Sequence, residues 1–195
     1  DGYVAARCLD GRGVAVVVAA LNAQKPQHGD AARAADGWTK AVHGFDIDFS
    51  SFDLVIDGLF GAGLARPITG DYAEVIRRLN AAQTPVLAID VPSGVDGLSG
   101  QMRGEAVKAD RTISFFRFKP GHFLYPGRGL CGALSLAQIG IDEVVLSVLR
   151  SPYARNTPTL WHHLWPDPAP HSHKYHRGHV LVVSGSVQQL SLIHI

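Results

Sequence analysis

Two apolar segments that each end in an aspartate constrain the fold of this chain more than any other feature. The first covers residues 54–57 and continues into a glycine-spaced turn at 58–67. The second covers residues 85–90 and is followed by another turn-rich stretch at 91–97. An apolar run that ends in a carboxylate before a glycine turn is typical of a buried parallel strand whose following loop binds a ligand. We therefore expect the two strand ends to form one site.

The apolar periodicity along the rest of the chain predicts an α/β fold. Strands and helices alternate, and the strands are almost continuously apolar, which indicates a mainly parallel sheet. We expect strands at residues 14–20, 52–57, 86–90, 111–116 and 133–139, and helices at residues 2–9, 30–42 and 71–82. The run at 14–20 predicts a strand covered on both faces, and the helix at 2–9 is expected to be buried. Asp30 is a candidate N-cap. The expected architecture is a doubly wound, three-layer αβα sheet.

Composition limits the class of protein. The chain has 195 residues, 46% of them hydrophobic and 18% charged, which is typical of a soluble globular protein with one full domain and part of another. A formal charge of +1 without a long basic run argues against nucleic acid as a partner. The longest apolar stretch, residues 14–21, is too short to span a bilayer. Cys8 and Cys131 do not make a disulfide framework, so we expect two buried thiols in a reducing, cytoplasmic compartment.

The C-terminal part of the chain has a different composition. Residues 151–173 carry repeated prolines around a short apolar segment, which predicts a linker with one short helix. Six histidines fall between His162 and His179. They could bind a metal ion, but no Cys and no acidic residue other than Asp167 accompanies them, which favours a solvated linker. Residues 179–186 then resemble a strand that runs into a glycine turn, which would be the first element of a second domain.

The two strand-end aspartates bring oxygen ligands to one edge of the predicted sheet. If their strands are neighbours, Asp57 and Asp90 lie within one small region, and the Ser93 hydroxyl can turn into the same space. Two carboxylates, a hydroxyl and loop carbonyls suit a hard cation and argue against zinc. The alternative is that each aspartate caps its own turn through an Asx hydrogen bond.

The glycine turn after the first of these strands could bind an anion. Gly61 and Gly63 would let backbone N–H groups approach a phosphate, and Arg66 could add a guanidinium fork. Arg66 stands where a dinucleotide fingerprint needs its third glycine, and no P-loop lysine follows, so neither motif is present. A plain turn is the alternative. Residues 127–132 match G-x-G-x-x-G, but we discount them because they precede a strand and are not expected to open a helix.

A third turn carries groups that could transfer protons. Residues 115–122 follow a predicted strand and present Lys119 and His122. Either side chain could serve in proton transfer if it reaches the site. A surface lysine beside aromatic core residues is the alternative.

These stretches resemble the YjeF N-terminal family, the NAD(P)H-hydrate epimerases. The matching pieces lie at residues 1–6, 57–64, 88–94 and 109–121, in the family's order and spacing. The resemblance implies a Rossmann-like domain over residues 1–150 that lacks its first strand. It also implies a reaction in nicotinamide-nucleotide repair, the interconversion of the R and S epimers of hydrated NADH and NADPH (NADHX and NADPHX).

The resemblance assigns roles to residues one by one. Asp57 and Ser93 would be potassium ligands. Asp90 would lie near the reacting ring and is our first candidate for a catalytic residue, with Lys119 the second. Asp1 would be the last residue of an Asn-Asn-Gly-Gly-Asp loop that binds substrate and cation. The hydrated nucleotide would be contacted by Asp1, Asp90, Tyr72 and the loop residues Gly61, Ala62, Gly63, Leu64, Ala65, Arg66 and Pro67.

The tail resembles the opening of a second enzyme domain. Residues 174–189 would begin an NAD(P)H-hydrate dehydratase domain that uses ADP or ATP with Mg²⁺, so the chain would belong to a bifunctional enzyme. Tyr175 departs from that family's pattern, and residues 190–195 are expected to be a non-native tail. A non-catalytic nucleotide- or protein-binding module on the same fold is the alternative function. Assembly of the chain into a homo-oligomer is left open. A phosphoryl-transfer enzyme would need a P-loop lysine or a Mg²⁺ carboxylate cluster.

Overall fold

The computed structural model describes residues 1–24, 28–165, 167, 169–179 and 181. The chain divides into two compact units, Asp1–Arg150 and Ser151–Ile195. The α-helices of the first unit are α1 (Gly2–Asp10), α2 (Gly29–Asp36), α3 (Gly70–Ala81), α4 (Gly127–Leu130) and α5 (Val144–Leu149). Its strands are β1 (Val18–Ala19), β2 (Val42–His43), β3 (Val55–Asp57), β4 (Val86–Ile89), β5 (Arg111–Phe115) and β6 (Ala133–Ala137). Short 3-10 helices occupy Leu21–Ala23, Phe49–Ser51 and Pro120–His122.

The strands pair in parallel in both sheets of the first unit. One sheet has four strands in the order β3-β4-β5-β6, and the other consists of β1 and β2. Asp57 of β3 lies opposite Ala88 of β4 in the register, and Ile89 lies opposite Ile113 of β5. Parallel strands present their carboxyl ends at one edge, so the loops after β3, β4 and β5 lie side by side. The predicted α/β class is confirmed.

Helix α3 supplies the main core of the first unit. Its buried face follows the amphipathic spacing from which the sequence predicts a helix at 71–82, and the observed bounds begin and end one residue earlier. Burying each Ile, Leu or Val side chain contributes about 1.5–3 kcal/mol, so this face fixes α3 on the sheet and with it the preceding loop. The core cluster consists of Phe49, Ile68, Ala73, Val75, Ile76, Leu79, Val86, Ala88, Val107 and Ala109.

The N-terminal segment is more exposed than the sequence predicts. Only β1 of the apolar run 14–20 forms a strand, and Val14 and Val17 are 48% and 47% exposed. The prediction of a strand covered on both faces is therefore wrong. The predicted helix α1 forms, but Ala6 is its one buried residue, so the expectation of a buried helix is also wrong.

The alanine-rich segment is helical over a shorter range than predicted. Helix α2 ends at Asp36, and the strand β2, which pairs with β1, begins at the last residue of the predicted helix 30–42. Composition predicted a longer helix because a pairing with a distant strand leaves no local signal. Asp30 is not the N-cap. The helix begins one residue before it, after His28, and Asp30 forms an ion pair with Arg33 at 3.0 Å.

The second unit contains the predicted short helix. Helix α6 covers Pro158–Trp161, and 3-10 helices cover His162–Leu164 and Lys174–Arg177. The strand and turn predicted at 179–186 fall, apart from His179 and Leu181, outside the described residues, as does the predicted tail at 190–195. The assignment of domains there stays a prediction. Within the described part of the chain, no helix is long and apolar enough to cross a membrane.

Candidate functional site

The two strand-end aspartates lie in different surroundings. Asp57, the last residue of β3, is 3% exposed. Asp90, which directly follows β4, has a side chain that is 19% exposed and lines a pocket. Because β3 and β4 are neighbouring strands, the loops that follow them meet at one edge of the sheet, as predicted.

Asp57 is held by the loop that follows β4. The Ser93 backbone N–H donates to its Oδ2 at 2.7 Å, and the Ser93 hydroxyl donates to its Oδ1 at 2.6 Å. The same hydroxyl accepts the backbone N–H of Phe60 at 2.9 Å. Leu59 N–H donates to Asp57 Oδ1 at 3.3 Å, which is the Asx contact that the structural alternative predicts. The Asp57–Ser93 pair therefore ties the glycine turn to the neighbouring loop.

The Asp57 carboxyl group carries a buried charge when it is ionised. Burial raises its pKa above the ordinary range, while the hydrogen bonds from Ser93 and Leu59 favour the ionised form. Among the ion pairs of the described residues, none joins Asp57 to a cationic side chain. A bound cation is one way in which such a charge is stabilised.

Asp90 has a cationic partner. Lys119 Nζ contacts Asp90 Oδ1 and lies 3.1 Å from Ser114 Oγ. Ser114 Oγ lies 3.2 Å from Asp90 Oδ1, and the Phe115 backbone N–H donates to the same oxygen at 3.3 Å. The structure thus brings together two predicted residues that are 29 positions apart. Lys119 is 26% exposed on its side chain, so it is not the freely solvated surface lysine of the alternative interpretation.

The backbone of Asp90 is also constrained. Its φ of +66° is left-handed, a conformation that costs a residue other than glycine about 1–2 kcal/mol. Its N–H donates to the Ile113 carbonyl at 2.8 Å, and its carbonyl lies 2.8 Å from His122 Nε2. The left-handed φ ends β4 one residue before the predicted bound, and these contacts hold the turn.

The first pocket at this edge, here called the Lys119 pocket, has a volume of about 430 Å³. Aromatic and aliphatic side chains form most of its wall. Arg117 lies at this wall, 4.5 Å from the Phe116 ring centroid, and forms an ion pair with Glu143 at 2.5 Å. The pocket is lined by Asp1, Asp90, Phe115, Phe116, Arg117, Phe118, Lys119, Pro120, Ile139 and Ile141.

The second pocket, here called the Arg66 pocket, has a volume of about 730 Å³ and is formed by the glycine turn after β3. A Cβ added to Gly61 or Gly63 would meet no atom within 4 Å, so both glycines border open space. The Tyr72 ring packs edge-on against Phe60 with centroids 4.9 Å apart. The lining residues are Leu59, Phe60, Gly61, Gly63, Leu64, Ala65, Arg66, Pro67, Ile68, Thr69 and Tyr72.

Gly97 lies between the turn that forms the Arg66 pocket and the Lys119 side chain of the other pocket. A Cβ at this position would lie 3.0 Å from Ala62 Cβ and 3.6 Å from Lys119 Cγ. Ala62 belongs to the turn that forms the Arg66 pocket, and Lys119 lines the other pocket. The two pockets are therefore neighbours, separated by a contact that leaves little room for a side chain at Gly97.

The predicted site residues fall into three groups rather than one. Asp1, Asp90 and Lys119 line the Lys119 pocket. The predicted turn residues, except Ala62, line the Arg66 pocket together with Tyr72. Asp57 and Ser93 line neither pocket, because the Ser93 loop closes over the carboxylate.

The sequence did not single out Arg117, which lines the Lys119 pocket, or Ser114, a buried residue whose hydroxyl contacts Asp90 and Lys119. It also offered His122 for the site. Ser114 is an ordinary residue of β5 in the sequence, and Arg117 has no motif of its own. His122 does not line the pocket, because both ring nitrogens contact backbone groups, so it cannot reach a ligand there. The sequence does show that His122 lies three residues after Lys119, and this is the separation at which Nδ1 accepts the Lys119 backbone N–H.

The glycine motif at residues 127–132 lines neither of the two pockets. A four-residue helix, α4, opens at Gly127, so the expectation that no helix begins there is wrong. Gly127 and Gly132 of the motif serve packing. A Cβ at Gly127 would lie 2.7 Å from the Gly121 carbonyl oxygen, and a Cβ at Gly132 would lie 2.1 Å from the Asp110 carbonyl oxygen. Within the described residues, no group of three or more His, Cys, Asp and Glu side chains could hold a metal ion.

The two cysteines differ from each other. Cys131 is buried as predicted, and burial raises the pKa of its thiol to about 11. Cys8 is exposed, so the expectation that it is buried is wrong. Its helix, α1, buries only Ala6 and leaves most of its surface in solvent.

Comparison with known proteins gives the family relation. The family model for the YjeF-related protein N-terminus matches residues 1–121. A bifunctional NAD(P)H-hydrate repair enzyme Nnr from Thermofilum pendens is 35% identical over 197 residues, which cover 95% of this chain and 37% of that protein. An NAD(P)H-hydrate epimerase from Bordetella pertussis is 40% identical over 168 residues, which cover 82% of this chain and 72% of that protein. The chain thus spans 37% of the length of the bifunctional relative.

A solved structure supports the fold. The crystal structure of the yeast protein ynu0 superposes with a TM-score of 0.60 at 17% identity. The match covers 80% of this chain and 68% of the yeast chain. At this identity, the similarity shows the fold alone.

Proposed function

The chain belongs to the family of the YjeF-related protein N-terminus, and on this premise we propose that it interconverts the R and S epimers of hydrated NADH and NADPH. Relatives named NAD(P)H-hydrate epimerase and bifunctional NAD(P)H-hydrate repair enzyme support this reaction. The observation that carries the proposal is the Asp90–Lys119 pair on the wall of an aromatic pocket.

The chemistry needs an acid or base next to the hydrated carbon. Inversion of that carbon requires its C–O bond to break and to re-form on the other face. A proton is given to the departing hydroxyl, which leaves as water, and a proton is taken from the water that adds back, and positioned carboxyl and amine groups do both efficiently. Asp90 is partly exposed and faces the Lys119 pocket, so it can contact a bound ring. Lys119 supplies a positive charge beside it. The flat walls of Phe115, Phe116 and Phe118 suit a reduced nicotinamide ring.

The rest of the nucleotide would occupy the Arg66 pocket. Its volume of about 730 Å³ falls within the range of small-molecule sites. Arg66 is exposed, and no ion pair of the described residues engages it, so its guanidinium is available to a phosphate. Tyr72 and the turn of Gly61 and Gly63 complete the contact surface. We extend this role to both NADHX and NADPHX.

We also propose a potassium ion at the Asp57–Ser93 pair. The donor set fits a hard cation, because it offers a carboxylate, a hydroxyl and the Phe60 carbonyl oxygen, which lies 3.3 Å from Ser93 Oγ. It also contains a buried carboxylate without a cationic side chain among the ion pairs of the described residues. When bound, the cation would neutralise that charge. The residues themselves hold the two loops together.

Turnover of purified R-NADPHX, followed by chromatography, tests the epimerase proposal. We expect the wild-type protein to convert it to a mixture of epimers. Lys119→Met should slow conversion by about 10- to 100-fold, because the Asp90 carboxylate loses its partner. Lys108→Met removes an exposed lysine and is the matched control. Binding of NADPHX without turnover would instead favour a non-catalytic nucleotide-binding module.

Replacement of K⁺ by tetramethylammonium tests the ion. Both turnover and the midpoint of thermal unfolding should fall in its absence, because the buried carboxylate loses its counter-charge. The Asp57→Asn variant should no longer respond to K⁺. An unchanged response in that variant would place the ion elsewhere.

The second activity of the bifunctional relatives stays a prediction for this chain. A dehydratase domain using ADP or ATP with Mg²⁺ would begin at residues 174–189, most of which lie outside the described part. We therefore assign only the epimerase reaction to the pockets of the first unit.

A further inference from the structure

His122 is a fully buried histidine next to the reactive pair. Its exposure is 0%, and it ends the short 3-10 helix Pro120–His122. Its ring packs edge-on against Phe118 with centroids 5.9 Å apart. His122 lines neither pocket, so direct contact with a ligand does not explain why a polar ring is buried here.

The hydrogen bonds of His122 assign its tautomer. The Lys119 backbone N–H donates to Nδ1 at 3.0 Å, so Nδ1 carries no proton. The neutral ring then has its proton on Nε2, which donates to the Asp90 carbonyl oxygen at 2.8 Å. One ring therefore connects the backbones of the two residues whose side chains form the reactive pair.

Neither backbone position is fixed by regular secondary structure. Asp90 is left-handed at φ +66° and lies beyond the end of β4. Lys119 precedes the 3-10 helix, with extended φ and ψ of −87° and 150°. A carboxylate and an amine on two loops keep their mutual geometry only if the loops are held together.

We propose that His122 is a positioning residue for the epimerase reaction, which holds Asp90 and Lys119 in the geometry that the reaction requires. This inference rests on the proposed function. His122 acts through the backbones of both residues and does not touch substrate. Replacing it should change turnover more than binding, because the walls of both pockets remain.

Protonation of the ring would break this link. An imidazolium has a proton on both nitrogens, so Nδ1 could no longer accept the Lys119 N–H. Burial lowers the pKa of His122, and the positive charge of Lys119 acts in the same direction, while Asp90 opposes it through its carbonyl and its charge. The neutral ring is therefore the working form at neutral pH.

Two substitutions separate positioning from space filling. His122→Phe keeps a ring but removes both hydrogen bonds, and we expect kcat to fall on the order of 100-fold with KM within about threefold. His122→Gln has an amide N–H that can reach the Asp90 carbonyl, so kcat should recover to within about tenfold of wild type. His43→Gln alters an exposed histidine of β2 and should behave as wild type.

Two further readouts distinguish this role from a general loss of folding. Hydrogen exchange in peptides covering residues 117–123 should accelerate in His122→Phe, because the Lys119 amide loses its acceptor, while exchange in α3 stays unchanged. The acid limb of the kcat profile should move to lower pH in His122→Gln, since an amide does not titrate.

Three results would overturn the proposal. These are wild-type kcat in His122→Phe, equal losses in the Phe and Gln variants, or unchanged exchange at 117–123. If the wild-type protein itself shows no turnover, the proposed function fails. The exchange rates then decide alone whether His122 holds the two loops.

Discussion

The ends of β3 and β4 share one sequence pattern, but their aspartates differ in exposure and in the groups that contact them. Asp57 is 3% exposed and accepts hydrogen bonds from Ser93 and Leu59. Asp90 is 19% exposed on its side chain, contacts Lys119 and lines an aromatic pocket. The first aspartate fastens two loops together, and the second lines an open pocket beside Lys119.

The comparison shows that the role of a strand-end carboxylate depends on the side chain that contacts it. Ser93 closes over Asp57 because its loop turns back at Gly94, where a Cβ would lie 2.1 Å from the Glu105 carbonyl oxygen. Asp90 stays partly exposed, and Lys119, on a separate loop, contacts it and lines the same pocket. The same residue type is therefore structural in one case and a catalytic candidate in the other.

The largest expected effect comes from Asp90→Asn. An amide cannot transfer the proton, so turnover of R-NADPHX should fall by about 100- to 10,000-fold. The free energy of unfolding should change by less than about 1 kcal/mol, because the side chain is partly exposed and near its isostere in shape. Urea unfolding and chromatographic rates measure the two quantities. Asp53→Asn, an exposed aspartate, is the matched control.

Asp57→Ala should have the opposite profile. It leaves the Ser93 N–H and hydroxyl and the Leu59 N–H without their acceptor, and we expect a loss of about 2–4 kcal/mol in the free energy of unfolding. Urea denaturation at constant K⁺ checks this value. A loss below about 0.5 kcal/mol would show that the pair does not fasten the loops.

A smaller effect is expected at Gly97, which lies between Ala62 and Lys119. Gly97→Ala places a Cβ 3.0 Å from Ala62 Cβ, so the turn that carries Ala62 must shift by a few tenths of an ångström. We expect KM for NADPHX to rise about two- to fivefold with little change in stability. Gly44→Ala adds a methyl group with no atom within 4 Å and is the control. Equal kinetics of the two variants would refute the contact.

The smallest effect is the pH dependence of stability that arises from His122, whose ring contacts the Asp90 carbonyl. The pKa of His122 is held below its ordinary 6.5 by burial, with Lys119 adding to the shift and Asp90 opposing it. Below pH 6.5 His122 binds a proton in the unfolded chain more readily than in the folded chain. The contribution of the neutral ring to the free energy of unfolding is therefore full above pH 6.5 and declines as the pH falls. Urea midpoints at pH 7.5 and 5.5 should differ more in wild type than in His122→Gln. Equal differences would contradict the assigned neutral ring.

The fold was predictable where packing follows a local pattern. Helix α3 and strands β3 to β6 repeat apolar residues at the spacing of their elements, and the structure confirms each of them with bounds within about three residues. Strand β2 was not predictable, because its two residues, at the end of an alanine-rich segment, gain strand structure only from pairing with β1. The exposure of Cys8 likewise depends on what α1 packs against, which the helix itself does not encode.

The candidate site was predictable as a set of residues but not as an arrangement. Strand ends and glycine turns identify Asp57, Asp90 and the turn of the Arg66 pocket. Whether Ser93 shares the pocket or closes over Asp57 depends on tertiary contacts of loops that have no periodicity. The tautomer of His122 follows from two backbone partners, one of which lies 32 positions away.

The most direct test compares Asp90→Asn with Asp57→Asn in one assay. Turnover of R-NADPHX would be measured at saturating K⁺ and divided by the folded fraction of each variant. We predict that kcat per folded molecule falls on the order of 1,000-fold in Asp90→Asn and less than about tenfold in Asp57→Asn. An equal fall in both variants, or full kcat in Asp90→Asn, would contradict the claim that the reactive carboxylate follows β4.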